Sequence, residues 1–342
     1  MPLVLGVESG AAATAVEVRD ADDGHLVATA RVDHPQPSDV SSPQDPGAWW
    51  DAMADAVAAA GVRDVGALSV AGQRQALVLT NATGSPLCPA SPRADARAEA
   101  FASDLVSRLG AERLARATGH VPGSDTPLAR LAWLVQADPS LAERVGAVFS
   151  AHDHLTSRLT GRRVTDRSGA SATGWWGPTD GRWRLDLLDR AVRPAPAAGW
   201  SAVLPSVLAP GEPADWMSAT VHELLRLRGR PLVAAGLTDI AARALAAGVN
   251  GGAALALLLD DATASGLTPA PAADPSGVVQ GFADAAGGFL PTVPLAPVGP
   301  VLDAACRLLS TDMAGLAELA SRAGDDRVPD GAARPVLVPF SA

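Results

Sequence analysis

Two stretches of this chain repeat the same order of elements, and that repeat constrains the fold more than any single residue does. The first opens the chain. Residues 3–7 form a short apolar run ending at Glu8-Ser9-Gly10, residues 14–19 read as a second strand, Asp22-Asp23-Gly24 as a turn, and residues 26–32 as a third strand. Helical patterns follow, beginning with an amphipathic stretch over 46–60. The second copy starts at the strictly apolar run 253–259, which suits a central strand. A turn of small polar residues over 260–266, strands over 278–282 and 289–293, and helices over 299–309 and 314–323 complete it. A last strand is expected over 334–340. A meander followed by helices, twice over, predicts an α/β chain with two strand-rich halves.

The chain has 342 residues, 48% of them hydrophobic and 19% charged, enough apolar material to build real cores. Its net charge of −10 argues against a nucleic-acid partner, which calls for a basic patch. Every basic side chain other than histidine is arginine, so no lysine is available as a Schiff-base former or a P-loop residue. Cys88 and Cys306 are far apart and lie in no metal or disulfide pattern. The first ten residues are too short and lack the basic flank of a signal peptide. No run approaches the roughly 20 apolar residues of a membrane span. The expectation is a soluble cytoplasmic protein with no membrane and no nucleic-acid partner.

Between the halves lies PLVAAGLTDIAARALAAG, residues 231–248. An apolar strand is broken at Gly236, Thr238-Asp239 stands at the start of a helix, and the Ala- and Leu-rich stretch that follows suits close packing on a sheet. Asp239 reads in two ways. It is a favoured helix cap, and it also stands at the carboxyl end of a strand, where open α/β folds bind ligands. Residues 164–183 are small, polar and Gly-rich, then aromatic, and read as a loop. Trp49, Trp50, Trp175, Trp176 and Trp183 read as core anchors rather than a ligand-stacking platform. His152 and His154 flank Asp153 without a further ligand at metal spacing, so they read as helix surface or core.

Taken in order, these segments resemble the FGGY family of sugar kinases, most closely its xylulokinase-like members. LGVESGAAATAVEV is similar to that family's phosphate-binding opening, and DPGAWWDAM to its Asp-Pro…Trp-Trp helix. LSVAGQRQALVLTNATGSPLCPASPRAD is similar to the sugar-side segment, and SAHDHLTSRLTGRRVTDRSGASATGWW to the helix, Leu-Thr-Gly turn and small-residue loop. LVAAGLTDIAARALAAG resembles the segment that carries the catalytic aspartate. The resemblance implies an actin/hexokinase-like (ribonuclease H-like) architecture of two domains, divided here as 1–245 on the sugar side and 246–342 on the nucleotide side. It also implies an ATP-dependent carbohydrate kinase acting on a pentulose-like sugar such as xylulose with Mg2+, in which one base, a metal and positioned donors suffice. By residue match the base is Asp239. Gln73, Arg74, Gln75, Arg93, Asp95 and Thr238 fall on the sugar side; Glu8, Gly10, Thr263 and Ser265 on the phosphate side, with Glu8 also at the metal position.

The chain departs from that pattern at several points. Glu8 replaces the usual Asp, Ala11 a phosphate-facing Thr, and Ala15 a Lys or similar residue; alanine donates no hydrogen bond to phosphate. Arg74-Gln75 replaces a Met-His-like pair. The second phosphate turn reads Asp260-Asp261-Ala262-Thr263-Ala264, where two carboxylates would repel a triphosphate. VLVPFSA stops inside a family segment, so the second domain is expected to be incomplete, leaving room for a homodimer or a completing chain. The alternative is a catalytically inactive kinase homologue that acts as a sugar-binding, regulatory or scaffold protein; Arg74-Gln75 and Asp260-Asp261 favour it.

Overall fold

A computed structural model describes residues 2–35, 43–90, 96–249, 254–257, 262–295 and 299–325. The amino-terminal meander forms as expected: β1 (Leu3–Ser9), β2 (Ala13–Asp20) and β3 (Leu26–Asp33) pair antiparallel in sequence order. Alternation sets which face is buried. Leu5 and Val7 on β1 and Val16 and Val18 on β2 point to one side and are buried.

Helix α1 (Pro46–Ala60) covers that side. Asp45 caps it by accepting from the Gly47 amide, Pro46 supplies a preset first turn, and Gly61 closes it at φ 70°. Its Trp49, Trp50, Met53, Ala56 and Val57 pack on the sheet. β4 (Ala67–Gly72) then runs parallel to β1, placing Ser9 beside Gly72. The strand Leu232–Ala234 and the short strand Leu237–Thr238 both pair parallel with β4, and Pro213–Trp216 closes the edge antiparallel. Three parallel strands therefore end on one side of the sheet, which is where the first half meets the Thr238-Asp239 junction.

A second core lies beside the sheet. The antiparallel pair of β5 (Val78–Thr80) and β6 (Ala147–Phe149) packs Leu77 and Leu79 against Leu105, Leu128, Leu131, Val135, Leu188 and Trp175. Trp49, Trp50, Trp175 and Trp176 are all buried, as core anchors should be; Trp183 is only partly buried, packing beside this core and donating from Nε1 to Pro205 O. The helix Ala151–Thr160 begins with a reciprocal cap in which the Ser150 hydroxyl accepts from the Asp153 amide and Asp153 accepts from the Ser150 amide.

The loop expected over 164–183 contains a helix, Arg167–Ser171. Asp166 nucleates it by accepting from the amides of Ser168 and Gly169, both at 2.8 Å. Small residues serve packing here rather than freedom: a Cβ on Gly169 would stand 2.7 Å from the His152 ring. This helix joins the two halves. Ser168 Oγ accepts from the Thr238 amide at 2.9 Å, and Ser171 Oγ accepts from the Ala283 amide at 2.9 Å.

The second half is a four-stranded antiparallel sheet in the order Ala254–Leu257, Thr263–Gly266, Phe289–Pro294, Gln280–Ala283. It contacts the first half through the Gly281 amide, which donates to Gly119 O at 2.8 Å, and through Phe282, edge-on to His120. The turn expected over 260–266 is corrected in part: Thr263–Gly266 is a strand, held on both sides by neighbours. Asp260 and Asp261, and the expected strand 334–340, lie outside the described residues. Helices Gly299–Leu308 and Met313–Asp325 follow. Among the described residues no helix is long and apolar enough to cross a membrane.

Candidate active site

The carboxyl ends of β1, β4 and Leu237–Thr238 converge because parallel register aligns Ser9, Gly72 and Thr238. Two glycines make the convergence tight. A Cβ on Gly72 would stand 2.6 Å from the His152 amide nitrogen, and Gly236, at φ 82°, would place one 2.7 Å from Val70 O.

Asp239 opens the helix Asp239–Ala246 here, and its side chain is only 15% exposed. Oδ1 accepts from the Arg74 amide at 3.2 Å, and Oδ2 accepts from Arg74 Nη1 at 3.1 Å. Arg243, one turn further along the same helix, donates from Nη1 to Asp239 Oδ2 at 3.4 Å and from Nη2 to Glu8 Oε1 at 3.0 Å. Glu8, Arg243, Asp239 and Arg74 thus form one alternating chain of charge across the strand ends. Arg74 is almost wholly buried, and its Nε and Nη2 have no partner among the described residues.

The neighbouring expected residues divide. Gln73 reaches back to the first turn, donating to Gly10 O at 2.8 Å and to Gln44 Oε1 at 3.0 Å. Gln75 is buried at φ 60°, an uncommon conformation for a residue other than glycine. Its carbonyl accepts from Arg130 Nη2, while its own amide side chain has no partner among the described residues. Thr238 donates from both its amide and its hydroxyl to Ser168 Oγ, which fixes the residue before Asp239. Thr263 and Ser265 are buried in the second sheet, Ser265 Oγ lying 2.9 Å from Thr292 Oγ1. No hydrogen bond or ion pair among the described residues joins them to the Glu8–Asp239 group. Arg93 and Asp95 lie outside the described residues.

Beneath Thr238 sits a cluster whose role the sequence did not show. His152 is fully buried, with Nε2 3.1 Å from Asp166 Oδ1 and 3.1 Å from Asp153 Oδ1, and Nδ1 3.0 Å from Ser150 Oγ. Burial alone would push its pKa down; Asp153 and Asp166 outweigh this and raise it to about 10, so the ring is an imidazolium at neutral pH. Burial would likewise raise Asp153, and the His152 charge holds it below the ordinary carboxylate value. Two signals were available in retrospect: His-Asp opening a helix, and Asp166 standing two residues before Ser168. Arg243 was also missed, although it lies four positions from Asp239 on a helix, the spacing of an ion pair.

The metal and nucleotide that such a site would serve can be tested against the residues present. Glu8 offers one carboxylate, but Arg243 holds it. The Gly10 amide donates to Ala13 O within the turn itself, Ala11 to Ala13 carry no side-chain donor, and the Thr14 hydroxyl is engaged by His34. These residues do not form a magnesium or triphosphate site by themselves.

Residues 3–246 match the profile of the FGGY family of carbohydrate kinases, N-terminal domain. The chain belongs to the FGGY family of carbohydrate kinases. It is 39% identical over 294 residues to the xylulose kinase of Streptomyces coelicolor and 36% identical to that of Streptomyces rubiginosus. Each match takes in 85% of this chain and 59% of the relative, so this FGGY chain spans about three-fifths of the length of these relatives. Among solved structures, the xylulose kinase of Bifidobacterium adolescentis superposes with a TM-score of 0.82 at 28% identity, covering 94% of this chain and 70% of that one. The xylulose kinase of Rhodospirillum rubrum superposes with a TM-score of 0.84 at 25% identity. The architecture is that of the actin/hexokinase-like kinases, with the second domain represented only in part.

Proposed function

We propose that this FGGY chain carries the sugar side of an ATP-dependent carbohydrate kinase acting on a pentulose of the xylulose type, with Asp239 as general base. The observation that supports this is the position of Asp239 at the shared carboxyl end of three parallel strands, opposite Glu8. Residues 1–245 form the sugar-side domain in this reading and 246–342 the start of the nucleotide-side one, working in the cytoplasm. In the reaction, a sugar hydroxyl loses its proton to Asp239, its oxygen bonds to the γ-phosphorus of ATP, and the bond to the β–γ bridging oxygen breaks to release ADP. Thr238, fixed by Ser168, sets where the carboxylate stands. Glu8 is assigned to the metal position by resemblance alone, since Arg243 holds its carboxylate. Gln73, Arg74 and Gln75 supply the sugar-side wall, with Arg93 and Asp95 assigned there by resemblance; Gly10, Thr263 and Ser265 are assigned to the phosphate side.

The test is ADP release with xylulose, ribulose and other pentuloses. Asp239→Ala is expected to lower turnover roughly a hundredfold to ten-thousandfold, the worth of a general base; because it also leaves buried Arg74 without its carboxylate, it should lower the melting temperature, and turnover is compared at a temperature where the variant is folded. Undiminished turnover in this variant would remove Asp239 from the role.

A second reading, a kinase homologue that binds sugar without transferring phosphate, rests on a specific feature: both Asp239 oxygens are held by Arg74, with Arg243 on Oδ2 as well. A substrate hydroxyl must displace these donors. Under this reading the wild-type chain shows no turnover but retains sugar affinity by calorimetry, and Arg74→Met changes that affinity. Turnover above background by the wild type rejects it.

A further inference from the structure

On the flank of the first half, a cavity of about 560 Å3 opens between the β5–β6 strand pair, the carboxyl half of the helix Ala151–Thr160 and residues Val221 and Leu224. It shares no lining residue with the Glu8–Asp239 group. Its volume is that of an ordinary small-molecule site.

Three observations give it a chemistry. Thr80 and His154 line it, and Thr80 Oγ1 and His154 Nε2 are buried without a hydrogen-bond partner among the described residues. Such orphaned polar atoms are costly unless something fills the place of a partner. Two guanidinium groups also line it: Arg158, stacked 4.2 Å over the Trp50 ring, and Arg163, whose Nη1 donates to Gly146 O at 2.7 Å. No aspartate or glutamate lines it; Asp51 acts on Arg158 and Asp45 on His154 from outside the wall. The Asn81 side chain braces the far rim by accepting from the Thr83 and Ser85 amides, each at 3.0 Å. His154 is held neutral by burial and by Arg158, so its ring offers one N–H and one lone pair at neutral pH.

We propose that this cavity is a binding site for a small oxyanion-bearing polar molecule, a phosphate ester or a carboxylate, separate from the kinase cleft. The guanidinium groups of Arg158 and Arg163 take the charge, and the Thr80 hydroxyl and the His154 ring take the oxygens. The inference stands whether or not the chain transfers phosphate.

Isothermal titration of the full chain with orthophosphate, ribose 5-phosphate and citrate tests it, and the order of affinity separates phosphate from carboxylate ligands. Arg158→Met is expected to weaken binding at least about tenfold, the scale of a lost charged hydrogen bond. Arg158 also packs on Trp50, so Thr80→Val provides a test that leaves that contact alone. It is expected to weaken binding about fivefold while leaving the melting temperature unchanged or higher, because it removes an unpaired hydroxyl. Arg74→Met, in the cleft, is expected to leave this binding untouched. The proposal is overturned if none of the three ligands binds up to roughly 10 mM. It is also overturned if binding is unchanged in Thr80→Val and Arg158→Met, or is lost in Arg74→Met, which would place the ion in the cleft.

Discussion

The two sheets of this chain are held in different ways. The first buries a continuous apolar face under α1 and the helix Ala151–Thr160, and anchors its strand ends on a buried cation, His152, between two carboxylates. The second contributes Leu290 to a small cluster with Ile240 and Ala244 and Ala283 to another with Ala170 and Trp176, and one of its buried polar contacts is the neutral hydroxyl pair Ser265–Thr292. Beyond it, Leu308 is 78% exposed and Leu309 and Met313 are half exposed, Met313 touching Cys306 through its sulfur. The difference teaches that the first half covers its apolar face with its own helices, whereas the second half leaves large apolar side chains exposed among the described residues.

The largest expected effect lies at the charged anchor. His152→Gln leaves Asp153 and Asp166 buried without their cation and should cost about 3–5 kcal/mol, the usual result of breaking a buried ion pair from one side. The wild type carries a pH signature of the same contact. The folded pKa of His152 is raised from 6.5 to about 10, so its contribution is fully present below 6.5 and is lost as pH rises through about 10. Thermal melts from pH 7 to 11 should show that loss in the wild type and not in His152→Gln.

Next in size is the contrast in apolar packing. Met53, on α1, is fully buried against the sheet, and Met53→Ala should cost about 2–5 kcal/mol by loss of burial plus a cavity. Leu308→Ala should change stability by less than about 0.5 kcal/mol. Urea unfolding of the two variants measures both. A large loss in Leu308→Ala would mean that this helix is covered in solution, and the contrast between the halves would fail.

Much of the first half was legible because its elements carry their own punctuation. Asp45, Pro46 and Gly61 delimit α1 at the residues expected, and the alternation in β1 and β2 fixes which face is buried. The placement of Glu8 and Asp239 together followed from the order of segments. The helix Arg167–Ser171 was not legible, since Ser-Gly-Ala-Ser has the composition of a loop. Its helicity depends on the Asp166 cap and on close packing against His152, both tertiary facts. Arg74 read as a change in the sugar wall; that it would fold back onto the candidate base could be seen only once β4 and the Asp239 helix lay side by side. Thr263 and Ser265 read as a turn because small polar residues suit turns and pleated strands alike.

Acid provides an intermediate effect on the first half. Burial lowers the pKa of both His120 and His154 from 6.5 to about 4. The unfolded chain therefore binds more protons between those values, and stability should fall as pH drops from 6.5 towards 4, by at most about 3 kcal/mol for each ring. His120 faces Phe282 across the contact between the halves, and His154 faces Phe149 within the first half. His120→Gln and His154→Gln melts in this range would show which ring dominates. Loss of the acid slope mainly in His120→Gln would locate the weak point at the contact between the sheets.

The smallest expected effect tests the second sheet's own anchor. Ser265→Ala removes one hydroxyl of the buried pair, yet Thr292 Oγ1 still donates to Leu290 O at 3.0 Å and is not orphaned. The cost should stay near 0.5–1 kcal/mol, roughly the net worth of one neutral hydrogen bond. The same variant separates a packing role from the phosphate-side role proposed for Ser265. A packing role changes the melting temperature slightly and leaves the KM for ATP unaltered. A phosphate-side donor would raise that KM severalfold in whatever assembly of the chain is active, and would show that the neutral sheet, for all its thin core, holds a working part of the kinase.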